Sequence, residues 1–220
     1  MGEAVVEPFS LGQAGRARGI AQALAARGIG LRTARTRAEA LEVLLAEIPA
    51  GAQVMNGGSA TLEEIGFIEV LRSGRYQWLR PHVNEAADRE ERTRRRSRAA
   101  TADWLVGGAN AVTLAGEIVN VDGSGNRLAG YAFAAGRVIL VAGANKVVPD
   151  LAAAFERVRN TAALGECRKL EKKTPCALTG RCDNDACRGA ERQCGKILII
   201  ENEKIAGRIT LVLVDEPLGY

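Results

Sequence analysis

Residues 137–146 read RVILVAGANK: five apolar residues in a row, Val138 to Ala142, and then Gly143. A segment that is apolar at every position has no solvent face, so it predicts a strand buried on both sides, the hallmark of a parallel sheet. Working outward, the same kind of segment recurs. AQVMNGGS (52–59) and DWLVGGAN (103–110) are apolar strands that enter glycine turns, and KILIIEN (196–202) and RITLVLVDE (208–216) add two more. Helical patterns fall between them. Residues 11–27 read as a helix closed by Gly28, followed by a short strand, IGLRTA. TRAEALEVLLAEIPAG (36–51) places apolar residues at 41, 44, 45 and 48 and stops at Pro49. In TLEEIGFIEVLRSG (61–74), Thr61 and Glu64 have capping-box spacing. VVPDLAAAFERVRN (147–160) predicts a helix starting near Pro149, and 116–133 predicts short strands around a glycine turn.

Strands alternating with helices predict an α/β fold, a mostly parallel sheet with helices on both faces. The 220 residues read as a single domain (1–220) with a cysteine-rich segment at 167–195. Aromatics are only 4% of the chain, so aliphatic side chains must build the core. No apolar run approaches the roughly eighteen residues of a membrane span. MGEAVVEPFS has neither a basic segment nor an apolar core behind it, and Val6 occupies the place where a myristoylation signal needs a hydroxyl. These features read as a cytoplasmic protein without a membrane partner. The net charge is +4, and the densest basic run, RTRRRSR (92–98), follows ADREE, so the stretch reads as a solvated helix face. With no recognition helix or stacking aromatics beside it, a nucleic-acid partner is not expected.

Ligands of such sheets bind beyond the carboxyl ends of the strands. Three glycine-bearing strand exits point there, at 56, 107 and 143, and together predict one crevice. Gly57, Gly58, Ser59 and Thr61 form a turn ahead of a helix, where backbone N–H groups attract anions; the plain alternative is a tight, well-capped turn. NVDGSGNR (120–127) carries more donors and acceptors than a hairpin tip needs, though turns favour the same residues. Lys146, beside Asn145, is placed to hold a carboxylate or phosphate, or else is solvated. His82, the only histidine, follows Pro81 in a loop and reads as a surface residue rather than a base. The expected ligand is a small anionic metabolite.

CALTGRCDNDACRGAERQC (176–194) holds four of the five cysteines. A reducing cytosol and an odd cysteine count argue against a disulfide framework. Four thiolates can enclose zinc or hold an iron–sulphur cluster, while free or redox-labile thiols are the other reading. Cys176, Cys182, Cys187 and Cys194 are the expected ligands, with Cys167 outside the site. The segment between a helix ending near Asn160 and the strand at Ile197 has few apolar residues to order it, a gap that metal ligation could close.

NGGSATLEEIGF, NAVTLAGEIVNVDGSGNR, VILVAGANKVVPDLAAAFERVRN, KTPCALTGRC and RITLVLVDEPLGY together resemble the short, stand-alone form of the LUD-domain (lactate utilisation) proteins, from about residue 15 onward. The resemblance implies a fold similar to that of sugar-phosphate isomerases, coenzyme A transferases and folate cyclo-ligases. It implies a role near the oxidation of L-lactate to pyruvate, with iron–sulphur or oxidoreductase partner proteins. Residue by residue, it carries over the glycine turn (Gly57, Gly58, Ser59, Thr61), the central polar motif (Asn110, Asn120, Asp122, Gly123, Gly125, Asn126, Arg127) and the pair Asn145 and Lys146. The family usually spaces its cysteines x5, x2 and x6; here the middle gap is x4, and Ala144 stands where a larger basic residue is common. Three functional classes follow: a component of organic-acid oxidation, an isomerase or transferase acting on a phosphorylated or coenzyme A-linked substrate, and a metal-stabilised binding module without catalysis. In the second, Lys146 and Arg127 hold the anion and Asp122 or Glu117 is base or nucleophile.

Overall fold

A computed structural model describes residues 14–220. The N-terminal readings, the absence of a leader and the start of the first helix at residue 11, lie outside the described residues.

The chain begins with α1 (Ala14–Ala26), β1 (Gly30–Ala34), α2 (Arg37–Glu47) and β2 (Gln53–Asn56). Next come α3 (Ala60–Glu64), α4 (Phe67–Arg72), β3 (Gln77–Trp78), α5 (Arg80–Asn84) and α6 (Arg89–Ala99). The middle holds β4 (Trp104–Gly108), β5 (Ala111–Thr113), β6 (Ile118–Asp122), α7 (Asn126–Ala129) and β7 (Arg137–Gly143). The rest comprises β8 (Val147–Val148), α8 (Leu151–Arg157), α9 (Ala163–Lys169), α10 (Pro175–Thr179), β9 (Lys196–Ile200) and β10 (Ile209–Val214).

The six-stranded sheet runs β1-β10-β7-β4-β2-β3, and all its pairings are parallel. The decisive run forms β7, near the centre, between β10 and β4. Because side chains alternate across a strand, Val138, Leu140 and Ala142 face one layer while Ile139 and Val141 face the other. The first layer includes Ile20 and Leu24 of α1, Tyr131 and Ile118; the second includes Leu44 of α2, Leu62 of α3 and Phe67 and Leu71 of α4. Two apolar layers on one sheet require an apolar residue at nearly every position of the strand.

The sequence does not reveal that the strands split into two sheets. β5, β6, β8 and β9 form a separate mixed sheet in the order β8-β5-β6-β9, and KILIIEN joins this one rather than the main sheet. Its Ile118 and Val112 pack on the main sheet's layer, while Ala111, Val119 and Val121 pack under Ala154 and Val158. Both sheets are aliphatic, and composition cannot say which strands pair.

Two helix boundaries also differ. Ser59, not Thr61, caps α3, its hydroxyl accepting from the Leu62 N–H at 3.3 Å, and the helix breaks at Gly66 before α4. The helix expected to end near Asn160 continues through a wide turn at Val158–Ala162 into α9, because Val158, Ala162, Ala163 and Cys167 keep a buried stripe. Among the described residues no helix is long and apolar enough to cross a membrane.

Candidate functional site

The strand ends open into one crevice of about 1330 Å³. Gly57, Gly58, Ser59 and Thr61 line it after β2, Asn110 after β4, Asp122 to Arg127 after β6, and Lys146 after β7. The three glycine-bearing exits therefore do meet.

The turn after β6 is built on Asp122, which is 5% exposed. Its Oδ1 accepts from the Gly125 N–H at 2.7 Å and the Ser124 hydroxyl at 3.0 Å, and its Oδ2 accepts from Arg127 Nε at 2.6 Å. Burial opposes ionisation of this carboxyl, but Arg127 and these hydrogen bonds outweigh it and hold it below the usual aspartate value. Arg127 also donates to the Val121 carbonyl at 3.1 Å. Its stem lies across Gly57, where a Cβ would sit 2.0 Å from Arg127 Cδ, so a larger residue there would force the Arg127 side chain to move. Arg127 thus joins the exits of β6 and β2, and its charge is largely spent on Asp122.

Lys146 is 3% exposed and donates to Thr61 Oγ1 at 2.7 Å. Thr61 lies within α3, and its hydroxyl serves this lysine and not the helix start. Burial lowers the lysine to about 7, with Arg157 acting in the same direction and Glu64 against it. Of the two sequence readings of this lysine, an anion holder or a solvated side chain, the second does not hold, since the side chain is buried. The helix-start reading changes too: α3 is one short turn, and its Leu62 N–H is already taken by Ser59.

Three expected site residues stand elsewhere. Glu117, read as a base, lies at the far end of β6 from Asp122, paired with Arg27 at 3.0 Å and bonded to Thr113. Asn145 holds the last residues of the chain, its Oδ1 accepting from Leu218 N–H at 3.0 Å and its Nδ2 donating to the Gly219 carbonyl at 3.1 Å. Asn120 is buried below the crevice, and neither side-chain polar atom has a partner. Asn110 lines the crevice, though its Oδ1 accepts from the Val121 N–H and so fixes the neighbouring strand. His82 is exposed, as expected, but it lies in α5 and not in a loop.

Other wall residues carried no motif. Arg80 donates to the Gly57 carbonyl at 3.1 Å. Tyr220 donates to Glu166 Oε2 at 2.5 Å, and burial together with that acceptor pushes its hydroxyl well above the usual tyrosine value. The basic run is only partly a solvated face. Arg94 and Arg95 pair with Glu91, but Arg89, Arg92 and Arg96, spaced three and four residues apart, share a helix face that lines the crevice. Among the described residues, nine lysines and arginines line the crevice against three carboxylates, Glu63, Asp122 and Glu166. A chain of net charge +4 has gathered its positive excess on one concave surface.

The cysteines form a second, much smaller cavity of about 10 Å³. Cys176, Cys182, Cys187 and Cys194 line it, but so does Cys167, which the sequence reading placed outside. Continuation of the helix through α9 carries Cys167 inward, where it is 2% exposed. All five thiols are free. Burial pushes Cys167 up to about 11 and raises Cys182 and Cys187 as well, outweighing Arg159 and Arg192 nearby, so these are not activated thiolates. The donor set suits a thiophilic metal, and the buried Nε of Arg192, which lines the same cavity, has no partner. Yet among the described residues no three histidine, cysteine, aspartate or glutamate side chains are arranged to hold a metal ion.

With that geometry in place, the chain can be set beside known proteins. The sequence profile of the LUD domain matches residues 18–214. The crystal structure of a DUF162 family protein from Deinococcus radiodurans is similar over 94% of this chain and 99% of that one, with a TM-score of 0.51 at 14% identity. That likeness supports the fold. The crystal structure of eIF2B beta from Chaetomium thermophilum aligns with 52% of this chain and 43% of its own, at a TM-score of 0.35 and 15% identity, too slight to carry an argument. No curated protein matches the sequence.

Proposed function

Because the chain belongs to the LUD-domain family, we propose that it serves the utilisation of lactate or a related organic acid by binding an anionic metabolite in the strand-end crevice. The observation that carries this reading is that, among the described residues and leaving aside the buried Lys146, eight lysines and arginines face three carboxylates on one concave wall. Such a surface concentrates anions and orients carboxylates or phosphates through arginine.

A second reading, an isomerase or transferase working on a phosphorylated or coenzyme A-linked substrate, draws support from size and from α6. The crevice of about 1330 Å³ exceeds the several hundred cubic ångströms of ordinary small-ligand pockets, and a three-carbon acid would leave most of it empty. Arg89, Arg92 and Arg96 would meet the outer part of a longer anion.

Calorimetry with L-lactate, pyruvate, ribose 5-phosphate and acetyl-CoA tests both readings. Binding that weakens with added salt is expected. The double variant Arg92→Ala/Arg96→Ala is expected to weaken phosphate-bearing ligands about tenfold, roughly 1.4 kcal/mol, while leaving a bound three-carbon acid nearly unchanged. If none of the four binds even at about millimolar affinity, the crevice reading fails.

We further propose that Cys176, Cys182, Cys187 and Cys194 take up zinc or an iron–sulphur cluster. The support is the donor set around one small cavity; the sulphurs must shift to bond a metal, since no three are arranged for it now. Anaerobic reconstitution with zinc, or with iron and sulphide, is expected to leave stoichiometric metal on the wild type after gel filtration and little on Cys182→Ser. Equal, low metal in both proteins would refute it. Nothing in the crevice reading depends on this result.

A further inference from the structure

Lys146 combines features that anion holding does not use. Its amine is buried, its one hydrogen bond is to the Thr61 hydroxyl at 2.7 Å, and among the described residues no carboxylate lies within ion-pair distance of it. It nevertheless borders the crevice. Two glycines let the backbone pack closely around it. A Cβ on Gly108 would sit 3.1 Å from Ser59 Oγ and 3.4 Å from Thr61 Oγ1. A Cβ on Gly219, whose φ is +57°, would sit 2.7 Å from Thr61 Oγ1 and 3.4 Å from Lys146 Nζ. A buried amine that borders the crevice, bonded to one hydroxyl and paired with no carboxylate among the described residues, is an arrangement for covalent chemistry. Burial also leaves much of the amine uncharged at neutral pH, with Arg157 favouring and Glu64 opposing that state. Arg80 lines the same crevice, with its Nη1 bonded to the Gly57 carbonyl and its Nη2 near Gly58.

We propose that Lys146 condenses with the carbonyl group of a small anionic carbonyl compound, an oxo acid or a carbonyl phosphate, to form an imine in the crevice. The inference rests on the crevice being the ligand site. The amine lone pair adds to the carbonyl carbon, and the former carbonyl oxygen takes up the proton released by nitrogen, giving a carbinolamine. That hydroxyl then leaves with a second amine proton as water, and a carbon–nitrogen double bond remains. No oxidant or reductant is consumed. Thr61, touching Nζ, is placed to relay the proton between nitrogen and oxygen, and the ligand's carboxylate or phosphate faces Arg80.

The test is reductive trapping. Wild-type protein is incubated with pyruvate or with dihydroxyacetone phosphate, treated with borohydride, and analysed by intact mass and peptide mapping. The expected result is a single adduct on Lys146, heavier by the carbonyl compound less one oxygen atom, since water is lost and the hydride reagent supplies two hydrogens. L-Lactate, which has no carbonyl to condense, should give none, and Lys146→Met and Lys146→Arg, checked for folding by circular dichroism, should give none at this position. Trapping with pyruvate identifies an oxo acid site; trapping with the phosphate identifies a carbonyl phosphate site. Adducts only on other lysines, or equal labelling in Lys146→Met, overturn the proposal. Calorimetry separates the two possible failures: binding of either compound without an adduct overturns the imine and leaves the crevice reading intact, while neither binding nor adduct overturns both for these ligands.

Discussion

Lys146→Met is expected to make the protein more stable near neutral and mildly acidic pH, and to lose that advantage in alkali. In the folded chain burial lowers Lys146 to about 7, against 10.5 for an exposed lysine, with Arg157 reinforcing and Glu64 opposing the shift. Between those values the unfolded chain binds a proton that the folded one does not, so wild-type stability rises as pH climbs from about 7 towards 10.5. Below 7 both states are charged, and the full cost of a buried ammonium falls on the fold. At 1.36 kcal/mol per pK unit that cost approaches about 5 kcal/mol. Methionine keeps most of the volume and removes the charge, but leaves the Thr61 hydroxyl without its donor, a loss of about 1 kcal/mol. The variant should thus exceed wild type by about 4 kcal/mol at mildly acidic pH and match it or fall slightly below in alkali. Arg157, itself lowered to about 10, is present in both proteins, so the difference between their urea midpoints isolates Lys146. Parallel stability curves across the pH range would show that the amine is not desolvated in solution.

Arg127→Met carries the opposite sign. It strips the counter-ion from a carboxylate that is 5% exposed, leaving Asp122 with the Gly125 N–H and the Ser124 hydroxyl only. Breaking one side of a buried pair typically costs about 3 kcal/mol or more. Because Arg127 is among the groups holding Asp122 below its ordinary value, that contribution is present above the usual carboxylate range and fades as pH falls through it. The gap in urea stability between wild type and variant should therefore be widest at neutral pH and narrow in acid. A Gly57→Ala change should act through the same residue, since its Cβ would strike the Arg127 stem. In the Arg127→Met background, where the flexible thioether can yield, Gly57→Ala should cost less than in wild type. Additive losses would mean that the two turns are not coupled through this side chain.

Both variants turn on contacts that separate what the chain shows in one dimension from what it shows only when folded. The layered α/β architecture was legible because burial on both faces of a central strand leaves its mark on every residue, as in Val138 to Ala142. The crevice was legible in outline, because glycine turns after buried strands fall at the same end of any parallel sheet, and Asp122, Arg127 and Lys146 lay within them. What these residues do there was not legible. Whether Lys146 is a solvated cation or a desolvated amine depends on Thr61, Arg157 and the segment at Leu218 and Gly219, which are distant in sequence. Glu117 and Asp122 look equivalent on paper, five residues apart, yet Glu117 precedes β6 and Asp122 ends it, one bound to Arg27 and the other to Arg127. Arg92 and Arg96 read as surface charge because periodicity shows which residues share a helix face but not what that face meets. Cys167 joined the other thiols only because α9 stayed helical and turned it inward. Local pattern determines which segments become strand, helix or turn, because it records burial and backbone preference; ionisation and partnership are set by solvent exclusion and through-space charge, and these exist only after the distant segments have packed.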